Sequence, residues 1–348
     1  MLKFYSKLIG KTLLSRNRSF KQKISLSQER LVSRFIEHSY DNTIQCIVCN
    51  SKVQLYCEIL KVSYYQCNKC LHLQISQLPR PDFTQSLYAS NDLNETRQNE
   101  IYINDDSIAQ IRSAEVAVQK VHFILDKTGM IHSVDKLWID IGSGIGETLH
   151  ILSKMNPNFK SIGFESSQAL HKKAIDYGVN SRNEFFDPKA RKYPELKEAS
   201  IVSLFNVLEH VFNPVEFIEK ISEQMSENSY LVIEVPKHPS LSSIIQKAGV
   251  PYSYRHIYPP DHLNIFSVNS LSILLSNFGL TLTHTWFFGS DAIELFSYVD
   301  LNINKSSEVN FEPYSQVINE LQNAIDESLL SDVMLVIAKK LPIKAKLS

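Results

Sequence analysis

The sequence predicts an α/β fold: a doubly wound, mostly parallel seven-stranded sheet preceded by a small cysteine-bearing β module. Three observations carry this reading. Strand and helix signals alternate from residue 133 to about 342, the pattern of a parallel sheet covered on both faces. The first strand, "KLWIDIG", runs into glycines at every second position, Gly142, Gly144 and Gly146. All five cysteines lie between Cys46 and Cys70, four of them in two Cys-x2-Cys pairs.

The elements follow in order. "GETLHILSKM" has helical apolar spacing. "FKSIGFESS" is the second strand, and the helix "SQALHKKAIDYG" after it stops at Gly178. A weak third strand falls around 179–186, and "ASIVSLFNVLEHV" contains the fourth. Asn213-Pro214 opens the helix "PVEFIEKISEQM", with Asn at the cap, Pro at the first position and Glu216 three residues on. "SYLVIEVPK" is the fifth strand, and "VNSLSILLSNFGL" is a helix closed at Gly279. "LTLTHTWFFG" and "DVMLVIAKK" complete the seven, separated by a helical insertion at about 300–331 that contains "YSQVINELQNAIDESLL".

Four sections result. Residues 1–40 form a basic extension with a helix in "SLSQERLVSRFIEHS", and 41–80 hold the cysteines and the β runs "KVQLYCEIL" and "KVSYYQC". Residues 81–132 read as a helical linker or lid, and 133–342 as the α/β domain. The 348 residues suit about two domains of roughly 150 each. With 43% apolar and 21% charged residues the composition is that of a soluble globular protein. A net charge of −1 gives no field that favours nucleic acid. No apolar run reaches the roughly 20 residues of a membrane span. The first 28 residues carry seven Lys or Arg and no acid. A plain extension of a cytoplasmic protein is the default reading; a mitochondrial transit peptide or a basic surface touching a membrane fits the same composition. Nothing in the sequence fixes an oligomeric state.

Chemistry concentrates in two places. Glycines at a strand–helix turn let a ligand approach the backbone closely, and in a doubly wound sheet ligands bind at the carboxyl ends of the central strands. A dinucleotide turn would read G-x-G-x-x-G. Here the third glycine comes one residue early, and Glu147 stands where a pyrophosphate would meet negative charge. Glu165 ends the second strand 19 residues after Gly146, where a carboxylate can accept from both hydroxyls of a ribose. The second place is the cysteine quartet. Cys46-x2-Cys49, 17 intervening residues and Cys67-x2-Cys70 match the spacing of a closed, structural four-thiolate zinc site.

The pattern D-x-G-x-G-x-G from Asp140 to Gly146 resembles motif I of the class I S-adenosylmethionine-dependent methyltransferases. "LFNVLEHVFNP", "YLVIEVPK" and "DHLNIFSVNSLSILLSNFGL" look like successive segments of one large subgroup, in order over about residues 133–290. The resemblance implies a Rossmann-like sheet whose final strand is antiparallel. It implies S-adenosylmethionine held by Asp140, Gly142, Ser143, Gly144, Gly146, Glu165 and Asn206, with Asn206 at its amino-acid end. The quartet resembles the zinc module that precedes this domain in sugar C-methyltransferases and their relatives. That likeness implies a nucleotide-linked or polysaccharide-linked sugar as the small-molecule substrate, methylated at oxygen or carbon in surface polysaccharide synthesis. Unlike those chains, this one ends soon after the last strand. An O-methyltransferase of a small aromatic or quinone-like metabolite, and a noncatalytic cofactor-binding relative, are the rival readings. His210 in "NVLEH" is the first choice of base, His262 in "PPDHLNIF" is a catalytic or substrate contact, and Tyr88 in "SLYAS" weakly resembles an active-site tyrosine of the sugar enzymes.

Overall fold

The computed structural model describes residues 18–41, 45–79, 116–248, 256–303 and 309–342. Tyr88, residues 1–17 and most of the expected 81–132 segment lie outside them.

The chain begins with helix α1 (Arg18–Glu37), whose Leu31, Val32 and Phe35 pack onto a small sheet. Strands β1 (Ser39–Asp41), β2 (Val53–Ile59), β3 (Val62–Cys67), β4 (Leu73–Ile75) and β5 (Gln77–Pro79) follow. β2 and β3 form an antiparallel hairpin, β4 pairs with β3, and β1 pairs with β5. The hairpin turn places Leu60 and Lys61 in left-handed backbone (φ 50° and 67°), the twist that a two-residue hairpin needs.

Beyond it come α2 (Val118–Thr128), β6 (Leu137–Ile141), α3 (Glu147–Met155), β7 (Lys160–Glu165), α4 (Gln168–Asp176), β8 (Ser181–Asn183), β9 (Ile201–Phe205) and α5 (Pro214–Gln224). The chain continues through β10 (Tyr230–Pro236), α6 (Leu241–Lys247), β11 (Asn264–Ile265), α7 (Val268–Ser276), β12 (Leu280–Phe288), α8 (Asp291–Ile303), α9 (Ser315–Glu327) and β13 (Val333–Lys340). Local chemistry sets the helix starts. Asn213 accepts from Glu216 N with Pro214 next to it, and Ser267 and Ser270 make a reciprocal capping box on α7.

The seven-stranded sheet runs β12-β13-β10-β9-β6-β7-β8. β13 is antiparallel to both neighbours and the remaining pairs are parallel. This is the Rossmann-like seven-stranded architecture expected of the sequence. Alternate residues of β6 face opposite layers: Ile139 and Ile141 join a core with α5 and α7, and Trp138 joins one with α2 and α3. The chain leaves β6 toward β7 and β8 on one side, and toward β9 and β10 on the other. The carboxyl end of β6 is therefore the topological switch point, where open α/β sheets take ligands.

Two features are longer-range than sequence patterns reveal. Helix α9 lies within the helical insertion expected at about 300–331, and a second helix, α8, starts before it at Asp291; both pack with α6 through Ala292, Ile293, Ile318 and Leu241. β11, from the large domain, adds to the edge of β4 and so completes a four-stranded sheet with the cysteine module.

Candidate functional site

The glycine turn is built by its neighbours. Gly142, Gly144 and Gly146 all take left-handed backbone (φ 69°, 57° and 77°). Gly142 N and Ser143 N donate to Phe164 O at 2.8 and 3.0 Å, which ties the turn to the end of β7. A Cβ on Gly142 would stand 2.6 Å from Val207 Cγ2, and one on Gly146 2.8 Å from Val179 Cγ2. At Gly144 a Cβ would meet nothing within 4 Å. The outer two glycines are thus closed in by the fold, while the middle one borders open space.

Glu165 anchors the cradle. Its carboxylate accepts from Gly144 N at 2.9 Å and Ser167 N at 2.7 Å. Burial raises its pKa above the ordinary carboxylate value, and those donors oppose the shift. A carboxylate offers about four lone-pair sites, so two such bonds leave acceptor capacity. Asp140 lies beneath the turn, where its Oδ1 accepts from Ser203 Oγ at 2.6 Å and burial raises its pKa to about 7. Ser143 packs its hydroxyl against Gly163, where an added Cβ would come within 2.5 Å.

Asn206 follows β9 with φ 54°. Its main-chain N–H donates to Glu234 O at 2.8 Å, and its side-chain Nδ2 donates to Glu234 Oε1 at 3.1 Å. Glu234 Oε2 pairs with Lys120 Nζ at 2.7 Å, both groups being buried. Lys120 and Glu234 escaped the sequence reading. The signal for Glu234 was there: a carboxylate inside the apolar run "YLVIEVP" demands a partner. Nothing local marks Lys120, on α2, as that partner.

His210 and His262 come together beside this edge. A short 3-10 turn, Leu208–His210, follows Asn206. His210 Nδ1–H donates to Asp261 O at 2.7 Å, and His262 Nδ1–H donates to His256 O at 2.6 Å. A carbonyl only accepts, so in each neutral ring the lone pair sits on Nε2. The ring centroids are 5.1 Å apart. Glu209, next to His210 in the chain, is fully buried. Neither of its carboxylate oxygens has a hydrogen-bond partner among the described residues, and Oε1 lies 3.8 Å from His210 Nε2. Burial, reinforced by Glu234, pushes its pKa well above the carboxylate range. An unsatisfied buried polar group costs about 1–3 kcal/mol.

The four predicted cysteines also converge. Cys46–Cys70, Cys49–Cys67 and Cys49–Cys70 are each 3.5 Å apart at Sγ. Four sulfurs about 2.3 Å from a central zinc stand roughly 3.8 Å from one another, so the quartet fits that ion. The Cys46–Cys70 contact pulls the Cys46 pKa down and pushes that of Cys70 up. His72 is separate: its Nε2 bonds Asn264 Oδ1 at 3.1 Å.

The sequence pattern of a family described as a methyltransferase domain matches residues 109–285, just over half of the 348 residues. No curated protein matches the sequence. Among solved structures, a SAM dependent methyltransferase from Archaeoglobus fulgidus is similar at TM-score 0.44 and 22% identity, covering 72% of this chain and 100% of its own. Magnesium protoporphyrin IX methyltransferase from Synechocystis PCC 6803, solved with bound SAH, is similar at TM-score 0.47 and 13% identity, covering 75% and 100%. No helix among the described residues is long and apolar enough to cross a membrane.

Proposed function

The chain belongs to the methyltransferase-domain family, and from that premise we propose that it methylates oxygen or carbon of a sugar-containing small molecule, with S-adenosylmethionine as donor. The observation that carries the donor is the open cradle at Gly144, closed on one side by the Glu165 carboxylate. The surrounding charge fits too. Asp140, Glu165, Glu209 and Glu234 are all buried, and Lys120 is paired with Glu234. A sulfonium or ammonium group placed at this edge would favour the charged carboxylates against the burial that raises the pKa values of Asp140, Glu165 and Glu209, whereas a pyrophosphate would not.

Bound there, S-adenosylmethionine supplies an electrophilic methyl carbon. Gly144 would admit it to the backbone, with Gly142, Ser143 and Gly146 shaping the turn that holds it; Glu165 would accept from its ribose hydroxyls, Asn206 would meet its amino-acid end, and Asp140 braces the turn. His210 and His262 stand together beside this edge, and His210 is the first candidate to take the proton that the acceptor gives up. The cysteines hold zinc and keep the module folded. The sugar acceptor is supported by the order of cysteine quartet and methyltransferase motifs along the chain.

Two measurements test this. Calorimetry with S-adenosylmethionine should show one site per chain, and sugar nucleotides should be screened for release of S-adenosylhomocysteine. His210→Ala is expected to lower turnover at least about tenfold, the low end for loss of a placed base, with donor affinity within a few-fold. Unchanged turnover removes His210 from the reaction.

A further inference from the structure

We propose that Glu209, His210 and His262 form a second metal site, separate from the four cysteines, that takes one divalent transition-metal ion and offers it to adjacent oxygens of the acceptor. The acceptor half of this statement rests on the methyltransferase reading; the metal half stands on geometry alone. One ligand atom from each residue lies within 4.8 Å of the others. Octahedral bonds of about 2.1 Å put ligand atoms roughly 3–4 Å apart, so the 3.8 Å between Glu209 Oε1 and His210 Nε2 already suits a shared ion.

Two further observations point to an ion. Each imidazole is oriented by an Nδ1–H bond to a main-chain carbonyl, Asp261 O for His210 and His256 O for His262. That arrangement fixes the tautomer and direction of metal-ligating histidines. The Glu209 carboxylate is fully buried, and neither oxygen has a hydrogen bond among the described residues. A cation between it and the imidazoles supplies the missing partner. The two segments that deliver the trio are locked together, because Leu263 N donates to Glu209 O at 2.9 Å.

The donor set narrows the ion. Two imidazoles and one carboxylate suit manganese, iron, cobalt or zinc better than magnesium or calcium, which prefer all-oxygen ligands. Three protein ligands leave positions open. A pair of neighbouring hydroxyls, as on a sugar ring, can fill two of them. Coordination would lower the pKa of a bound hydroxyl; the imidazoles would then serve as ligands, and the hydroxyl proton would pass to solvent as its oxygen takes the methyl group.

Manganese(II) is the probe, since its hard character disfavours the thiolate quartet. The full chain, with zinc retained, is titrated with manganese alone and free ion is read by electron paramagnetic resonance. One saturable site per chain is expected, weakened at least tenfold in Glu209→Gln and in His262→Gln. Each variant is first shown to keep the parent's circular dichroism spectrum and a single cooperative thermal transition, which certifies its fold. No saturable site, or equal affinity in the parent and both variants, overturns the proposal. The methyltransferase reading survives that result if the donor still binds and His210→Ala still lowers turnover; it falls separately if the donor does not bind.

Discussion

Gly142 and Gly144 differ in what surrounds them, and the difference separates stability from binding. Both take left-handed backbone, which costs a residue with a Cβ about 1–2 kcal/mol. At Gly142 that Cβ also meets Val207 Cγ2 at 2.6 Å, whereas at Gly144 it meets nothing within 4 Å. Gly142→Ala is therefore expected to lower the thermal midpoint more than Gly144→Ala does. Gly144→Ala should weaken S-adenosylmethionine more, because its methyl occupies the cradle. Thermal scans and calorimetry check both, and parental donor affinity in Gly144→Ala would place the ligand elsewhere. These residues were legible in the sequence because a glycine at a strand–helix turn is a local signal. Glu165 was legible for the same reason, through its spacing from the turn. The hydrogen bond that Asp140 accepts from Ser203 was not legible, because its donor lies 63 positions away.

The same division holds for elements. Helix α5 was readable to its first residue because Asn213, Pro214 and Glu216 specify its start by themselves. The two-residue strand β11 was not, because its partners Leu73 and Gln74 lie on the far side of the sequence and no period marks so short a run. Helix α2 lies between these cases. Its apolar face was visible, but the sequence could not show that Lys120 turns inward to Glu234 on β10. This pair joins α2 to the strand whose carboxylate also holds Asn206. Removing one partner of a buried pair leaves a bare charge, at a cost of about 3–5 kcal/mol. Lys120→Met is expected to destabilise the protein by that order in denaturant unfolding. Adding Glu234→Gln should recover most of the loss, since the amide keeps an acceptor for Asn206 without the charge. A single variant as stable as the parent would show that water or another group already neutralises Glu234.

Across the whole molecule, the cysteine module and the α/β domain are one mechanical unit. Cys46, Cys67 and Cys70 belong to the same apolar core as Phe266 and Leu271. Ser267 Oγ donates to Cys70 O, Tyr64 OH donates to His262 O at 2.8 Å, and Ile75 N donates to Leu263 O at 3.1 Å. Asn264 carries the chain of contacts onward, with Nδ2 donating to Val211 O at 2.8 Å just past His210. Helix α1 closes the far side, where Gln28 Nε2 donates to Pro259 O at 3.1 Å. A metal that orders the quartet must therefore order β11 and the segment before it that bears His262. Elemental analysis should find one zinc per chain beyond any ion held elsewhere, and Cys46→Ser should abolish it. In that variant, amide hydrogen exchange over residues 262–266 is expected to quicken at least about tenfold, because local opening follows the stability of the unit that contains the amide. Residues 138–141, in the middle of the large sheet, should stay protected within about twofold, which separates loosening of the module from global unfolding. Zinc-depleted parent protein should behave like the variant. If zinc leaves and 262–266 keep full protection, the quartet and the His262 segment are independent, and the cysteine module has no hold on the histidines.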